Sequence, residues 1–343
     1  MSFKIDSIEM RNYGKIKAFS CSNFSNINLI IGENGTGKTF LLKALYSAIR
    51  SMEEYKRGDD IRSMNDILAE KLRWTFQVDK IGDMVTRDSY DELQFQINAN
   101  GENYGYQFSK DTVNQITNLK CALKNKEGNS IFIPAKEVLS LFSIILKSRE
   151  FDKMFGFDDT YYDLAKALRI PPSRGRNYTA FSNSRELVSD AIDGYVEYDE
   201  NSGKWFYRNN KKQQFTIGAT SEGVKKLAIL DRLLCNGYLN RDSVIFIDEI
   251  ESALHPTSIC QFLDMVHFIS DSMGIQFFIA SHSYFVIKKL ALLAMKKQNY
   301  ITCISLEKEI EPIVSDLYDG IPNNSIIDTS IALYEQEIMG VLS

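Results

Sequence analysis

The octapeptide GENGTGKT, residues 32–39, lies directly behind the apolar run INLII and directly ahead of FLLKALYSAI. An apolar strand that enters a glycine-rich turn and leaves it as an amphipathic helix has few folded solutions. The glycines let the backbone curl so that successive N–H groups point inward, and the helix beginning near Lys38 adds the positive end of its dipole. Such a turn is built to hold a nucleotide's phosphates. The stretch fits GxxxxGK[ST] at Gly32, Gly37, Lys38 and Thr39. Lys38 is expected to reach the β- and γ-phosphates and Thr39 to offer its hydroxyl to Mg²⁺, an octahedral ion that takes few protein ligands. Gly32, Asn34, Gly35, Gly37, Lys38, Thr39 and Phe40 are the expected ATP contacts. The alternative is a glycine turn that only caps a helix. The bare pattern arises by chance in about one such sequence in a hundred, and the flanking strand and helix lower that further.

Three later stretches bear on the same chemistry. In VIFIDEIE, residues 244–251, four apolar residues suit a parallel strand buried on both faces, and the carboxylates that follow emerge at its C-terminal edge. Asp248 would hold Mg²⁺ through water, and Glu249 would polarise the attacking water as general base. Taken alone, an ordinary acidic helix entry explains the pair as well. GIQFFIASHSYFVIKKL holds another short apolar strand, ending at Ser281 and His282, where an imidazole can donate to the γ-phosphate. His267 lies in the amphipathic segment TSICQFLDMVHFIS and is expected at a helix surface or core edge; His255, before Pro256, is expected to shape a turn. In TSEGVKKLAIL, residues 220–230, Ser221 and Gly223 open a helix whose N-terminus could hold a second anion. One chain has no second phosphate for it, so the anion would belong to a second subunit's ATP.

The order of these parts (phosphate loop, distant SxG helix, acidic strand, ESALHP, strand ending in His) resembles the ABC-type ATPases, and within them the SMC/RecF/OLD-like group. In that resemblance Ser221 and Gly223 match the signature motif, Ser252, Ala253 and Leu254 the D-loop, and His282 the switch histidine. IFIPAKEVLSLF and DLYDGIPNNSIIDTSIALYEQEI look like a bacterial subgroup of compact AAA-named members found in defence and toxin-like operons. The fold implied is α/β, a P-loop NTPase of ABC-ATPase type with an antiparallel β lobe and an inserted helical lobe. The resemblance implies a head-to-tail homodimer, or a larger oligomer of it, around two ATPs, with Lys38, Glu249 and His282 as the catalytic set and Thr39, Asp248 and a loop glutamine at Mg²⁺. Gln77 in WTFQVDK, read as following a strand, is the glutamine assigned; Gln94 and Gln96 in LQFQINA alternate as exposed strand residues. The biological role implied is control of a separately encoded effector, a nuclease or toxin, in anti-phage defence. Two other readings stand beside it: a RecF-like ATPase of DNA repair or recombination, and a nucleotide-gated scaffold with little turnover.

One ABC-type domain of three parts is expected, with a β lobe and phosphate loop over 1–135, a helical insertion plus hairpin over 136–215, and the signature, acidic-strand and switch-histidine part over 216–343. FKIDSIEM, KIKAFSC and INLII read as strands, ELQFQINA and YGYQF as a hairpin, and GYVEYDENSGKWFYRN as another around Asn201 to Gly203. AKEVLSLFSIILKS, YYDLAKALRI and SRELVSDAI read as helices. No heptads run through the insertion, which argues against long DNA-tethering arms. About sixty residues follow His282, read as a helix, a strand and a short terminal helix, too few for an appended nuclease domain. The net charge of −5 does not support a DNA-coating surface. Arg174 and Arg176 with Tyr178 and Phe181, and the pair Lys211 and Lys212, are basic patches more readily read as solvated loops than as nucleic-acid contacts. Arg11 and Lys15 likewise read as solvated loop residues near the nucleotide. Five cysteines without CxxC spacing, no signal core and no apolar run of the roughly 18 to 20 residues that span a bilayer point to a reducing cytoplasm.

Overall fold

Strand β3 (Ile27–Gly32) is buried along its whole length because both of its faces are covered. It pairs in parallel with β12 (Gln276–Ser281) on one side and β13 (Thr302–Leu306) on the other. Beyond β12 come β11 (Val244–Asp248) and β7 (Ile131–Ile133), both parallel; beyond β13 lies the antiparallel edge strand β14 (Ile313–Asp316). The sheet order is β14-β13-β3-β12-β11-β7. The computed structural model describes residues 2–122, 126–172, 192–308 and 311–342.

Strand side chains alternate between faces, so each apolar run feeds two cores. Leu29, Ile31, Ile245, Ile247, Phe277 and Ile279 enter one; Ile30, Val244, Phe246, Phe278 and Ala280 enter the other. On the second face Phe132, Phe246 and Phe278 lie nearly parallel in a row, with centroids 6.3 and 5.5 Å apart. Tyr46 of α1 (Lys38–Glu54) meets Phe132 and Phe246 edge-on. Each such burial is worth about 2–3 kcal/mol. Together they hold the helix that follows the phosphate loop against the sheet.

The second core is closed by the antiparallel sheet β2-β1-β4-β5-β6, from β1 (Ile5–Tyr13), β2 (Ile16–Ser22), β4 (Leu93–Ala99), β5 (Glu102–Phe108) and β6 (Asn118–Cys121). The alternation of LQFQINA is observed as read, with Leu93, Phe95 and Ile97 buried and Gln94 and Gln96 exposed. The first core is closed by α3 (Phe142–Glu150), α4 (Asp159–Arg169), the hairpin β8 (Gly194–Asp199) and β9 (Lys204–Asn209) extended by β10 (Gln214–Thr216), α5 (Glu222–Cys235), α6 (Pro256–Met273) and α7 (Tyr284–Lys297). Leu164, Leu168 and Trp205 of the inserted stretch share that core with Ile245 and Phe277, so the insertion is fused to the sheet. Helix α8 (Ser325–Leu342) ends the described chain.

Three expectations change. WTFQVDK is the end of helix α2 (Met64–Phe76), capped by Ser63 and burying Ile67, Leu68, Leu72 and Thr75 against α1; its aromatic and β-branched residues read as strand, but tertiary packing sets the period. The helix expected from residue 136 starts only at Phe142, since Ser140 is tied back to Glu137 by its backbone N–H. The terminal helix is 18 residues long rather than short. Arg174, Arg176, Tyr178, Phe181 and the segment SRELVSD lie outside the described residues.

Candidate functional site

The turn after β3 is a run of left-handed glycines. Gly35 and Gly37 have φ of 82° and 105°, which disfavours a side chain at either. At Gly32 a Cβ would lie 2.1 Å from the carbonyl oxygen of Leu306. Helix α1 then starts at Lys38 with no side-chain cap at Gly37, leaving its first N–H groups for another acceptor. The Lys38 ammonium is buried and donates to the carbonyls of Gly32 and Glu33 at 2.7 and 2.8 Å. Burial lowers its pKa, against the opposing pull of Glu249, Asp248 and Glu251. A cation desolvated on loop carbonyls favours an anion beside it, and the phosphate fits this donor set.

The Thr39 hydroxyl lies 3.1 and 3.0 Å from the two carboxylate oxygens of Asp248, at the end of β11. Residues 209 apart in sequence thus present three oxygens at one point. Burial pushes the Asp248 carboxyl up to about 6, with the Thr39 hydrogen bond opposing. A divalent cation would favour its charged form, and a hydroxyl plus one carboxylate is the sparse oxygen set that suits Mg²⁺. Among the described residues no cluster of three or more His, Cys, Asp or Glu forms a closed metal cage.

Glu249 follows in a left-handed conformation, φ 45°, which costs a non-glycine residue roughly 1–3 kcal/mol and turns its carboxylate out of the strand. Its backbone is clamped: the N–H donates to Ala280 at 3.0 Å, and the carbonyl accepts from Ser252 N–H at 2.9 Å and from the Lys226 ammonium at 3.2 Å. The carboxylate stands 4.0 Å from His282 Nδ1 and is about one-third exposed. His282 is thereby brought to Glu249, as the sequence order implied.

Glu251 went unassigned in the sequence reading, yet it is the carboxylate that joins the two strand ends. It accepts from His282 N–H at 2.7 Å and from the Ser281 hydroxyl at 2.9 Å, and lies 3.2 Å from His282 Nδ1. Lys226, one turn into α5, was also unassigned. Its ammonium is buried beside Glu251, Glu249 and Asp248, and desolvation holds it down at about 8. Its signal was a lysine inside an apolar helix face; for Glu251 it was the first letter of ESALHP, in which only Ser252, Ala253 and Leu254 were given a role.

Ser221 caps α5, accepting from Val224 N–H at 3.4 Å. A Cβ at Gly223 would meet Leu254 at 3.2 Å, so the SEG turn and the SALHP loop pack together. Ala253 has φ 62° in that loop. Among the described residues, Ser221 bonds Val224 and Gly223 faces Leu254 and Ser258, away from the phosphate loop residues of the same chain. Phe40 packs on Phe76 and Tyr13, with centroids 4.8 and 6.3 Å away, under Gly14. Lys15 is exposed in the turn after β1, with its ammonium 3.4 Å from a Cβ placed on Gly35, and Arg11 is exposed and pairs with Glu9. Gln77 is exposed and caps the C-terminus of α2 instead of following a strand. The strand beside β11 is β7, and Pro134, Ala135, Lys136 and Glu137 follow it with no glutamine. His255 caps α6 through Nδ1, accepting from Thr257 N–H at 3.3 Å, and His267 is buried on the same helix.

Comparison with known proteins places the chain by similarity of sequence and fold. The family model described as "AAA domain, putative AbiEii toxin, Type IV TA system" matches residues 27–288, which runs from β3 past His282. The chain is 31% identical over 99 residues to the DNA replication and repair protein RecF of Bacillus cytotoxicus, covering 29% of this chain and about a quarter (24%) of that protein. A solved SMC head, bound to the C-winged helix domain of ScpA, superposes with a TM-score of 0.56 over 92% of this chain and 98% of its own, at 13% identity, which is a likeness of fold. No described helix is long and apolar enough to cross a membrane. With the family model running from β3 past His282, and the fold that of an SMC head, this chain belongs to the AbiEii-type AAA-domain family, among the ABC-type, SMC- and RecF-like P-loop ATPases.

Proposed function

We propose that this chain binds and hydrolyses ATP with Mg²⁺, closes as a head-to-tail dimer on two ATPs, and so regulates a separately encoded nuclease or toxin in a bacterial defence module. The observation that carries the ATPase reading is the convergence of Lys38, Thr39, Asp248, Glu249 and His282 on one edge of the sheet from three separate stretches of chain. Lys38 and the loop N–H groups hold the phosphates, while Thr39 and Asp248 hold the metal, which supplies charge neutralisation at the β- and γ-oxygens when bound. Glu249 takes the proton of the attacking water, and His282 donates to the γ-phosphate.

Glu251 acts as a positioning residue. By holding the backbone N–H of His282 and facing Nδ1, it sets which ring nitrogen is left toward the nucleotide. Replacing it with Ala should cut kcat about 10- to 100-fold with the KM for ATP little changed. Glu251→Gln, which keeps an acceptor, should lose less. A rise in KM at constant kcat would show that Glu251 only shapes the pocket.

The effector reading is supported by the toxin and toxin–antitoxin terms in the family description, and by a structural neighbour whose head is seen with another protein's domain. The RecF match favours a second reading, a DNA-maintenance ATPase, which predicts turnover stimulated by duplex DNA and lost with salt. The dimer is tested with Ser221→Arg. A bulky cation at the α5 N-terminus should leave ATP binding to one active-site half intact, remove the ATP-dependent change in association state seen by sedimentation with and without nucleotide, and cut turnover at least about 100-fold. An ATP-dependent change in association and a turnover equal to those of the unmodified chain would refute the shared site.

A further inference from the structure

Helix α8 leaves the body of the protein after its first turn. Ile326 and Ile327 pack on the core shared with α7, but Ile331, Leu333, Tyr334, Ile338 and Met339 are all exposed, Tyr334 at 64% and Met339 at 73%. A rod of 18 residues, roughly 27 Å long, does not carry such side chains into water without a partner. Ile327, Ile331, Tyr334 and Ile338 recur at spacings of four, three and four, the seam of a helix that packs against another helix. The charges beside this seam are Asp328, Glu335 and Glu337, with no Lys or Arg anywhere on α8.

The same chain carries a matching surface. On α7 Phe285, Leu292 and Met295 are exposed at helical spacing, with Lys288 and Lys296 exposed on the same face and no carboxylate on the helix. Among the described residues Lys289 alone of its four lysines is in an ion pair, at 2.7 Å, with Asp264. α7 and α8 touch within one chain, yet the exposed length of α8 is not laid along α7.

We propose that α8 docks on a second copy of this chain, its acidic apolar seam lying on the partner's lysine-flanked α7 stripe. A two-fold axis lets each copy give its α8 and receive the other's, so both complementary surfaces are covered twice over. An anionic membrane surface would repel the three carboxylates of α8, which sets lipid aside as the occupant. The interface uses neither Lys38, Glu249 nor Ser221 and does not rest on the ATPase reading. It assembles the protein without nucleotide.

The full chain, free of nucleotide and Mg²⁺, is measured by sedimentation equilibrium over a concentration series. The expected result is a dimer. Ile331→Glu with Ile338→Glu should give a monomer with unchanged far-UV circular dichroism. Glu335→Lys with Glu337→Lys should weaken the dimer at least about tenfold, as should Lys288→Glu with Lys296→Glu, and the chain carrying all four changes should recover it. These surface charges are outside the core, so the reversals test the contact and not folding. A monomeric unmodified chain, a dimer untouched by the Ile changes, or no recovery in the fourfold variant would each overturn the proposal.

Discussion

Lys38→Ala should lower ATP affinity by at least about 100-fold, near 3 kcal/mol, through loss of charge-assisted contacts to two phosphates. The geometry makes that cost hard to recover. The ammonium sits buried between the carbonyls of Gly32 and Glu33, and its burial disfavours its charge until an anion arrives. Lys15, beside Gly35, is another cation near the loop, but it extends from the turn between β1 and β2 and cannot replace one rooted in the first residue of α1. The fold should survive the change, because the strained loop is set by its glycines and Lys38 neutralises no directly bonded carboxylate among the described residues. Titration calorimetry with ATP and Mg²⁺ decides it: affinity within about threefold of the unmodified protein would remove the phosphate-loop assignment.

Glu249→Gln should retain ATP and lose about 10²–10⁴-fold in turnover. Two carboxylates compete for the role of base here, and their surroundings separate them. Both oxygens of Glu251 are occupied by Ser281 and His282, and its side chain is 10% exposed. The Glu249 carboxylate accepts no hydrogen bond among the described residues, with His282 Nδ1 4.0 Å away, on a backbone held rigid by Ala280, Ser252 and Lys226. A group with unoccupied acceptor positions and access to solvent can accept a water's proton. The variant should therefore accumulate as the ATP-bound dimer, and purified from its own host it should carry what the closed state binds. A small protein would support effector regulation, and nuclease-sensitive nucleic acid alone would move the reading to DNA maintenance. Unchanged single-turnover hydrolysis would place the base elsewhere.

Much of this site is legible in the chain because its parts are local. A glycine-rich turn, an apolar pentapeptide ending in Asp-Glu and a capped SEG helix each carry their geometry within about ten residues, where backbone sterics and burial period act. The β lobe was legible for the same reason, as period-two alternation survives in LQFQINA. Gln77 was misplaced because WTF has strand propensity, and only packing of α2 on α1 made it helical. Glu251 and Lys226 went unassigned because their role is defined by partners 31 and 23 residues away.

The sequence by itself determined that a phosphate loop and an acidic strand are present and that their strands are buried on both faces. Only the tertiary structure decided that Thr39 meets Asp248 across 209 residues, that Glu251 braces His282, and that α8 stands clear of the core. The physical reason is that local steric and hydrophobic periodicity is written within each element, whereas the side-chain contacts that make a site depend on which strands lie side by side. That order, β3 next to β12 and β12 next to β11, is set by packing the whole chain into two cores.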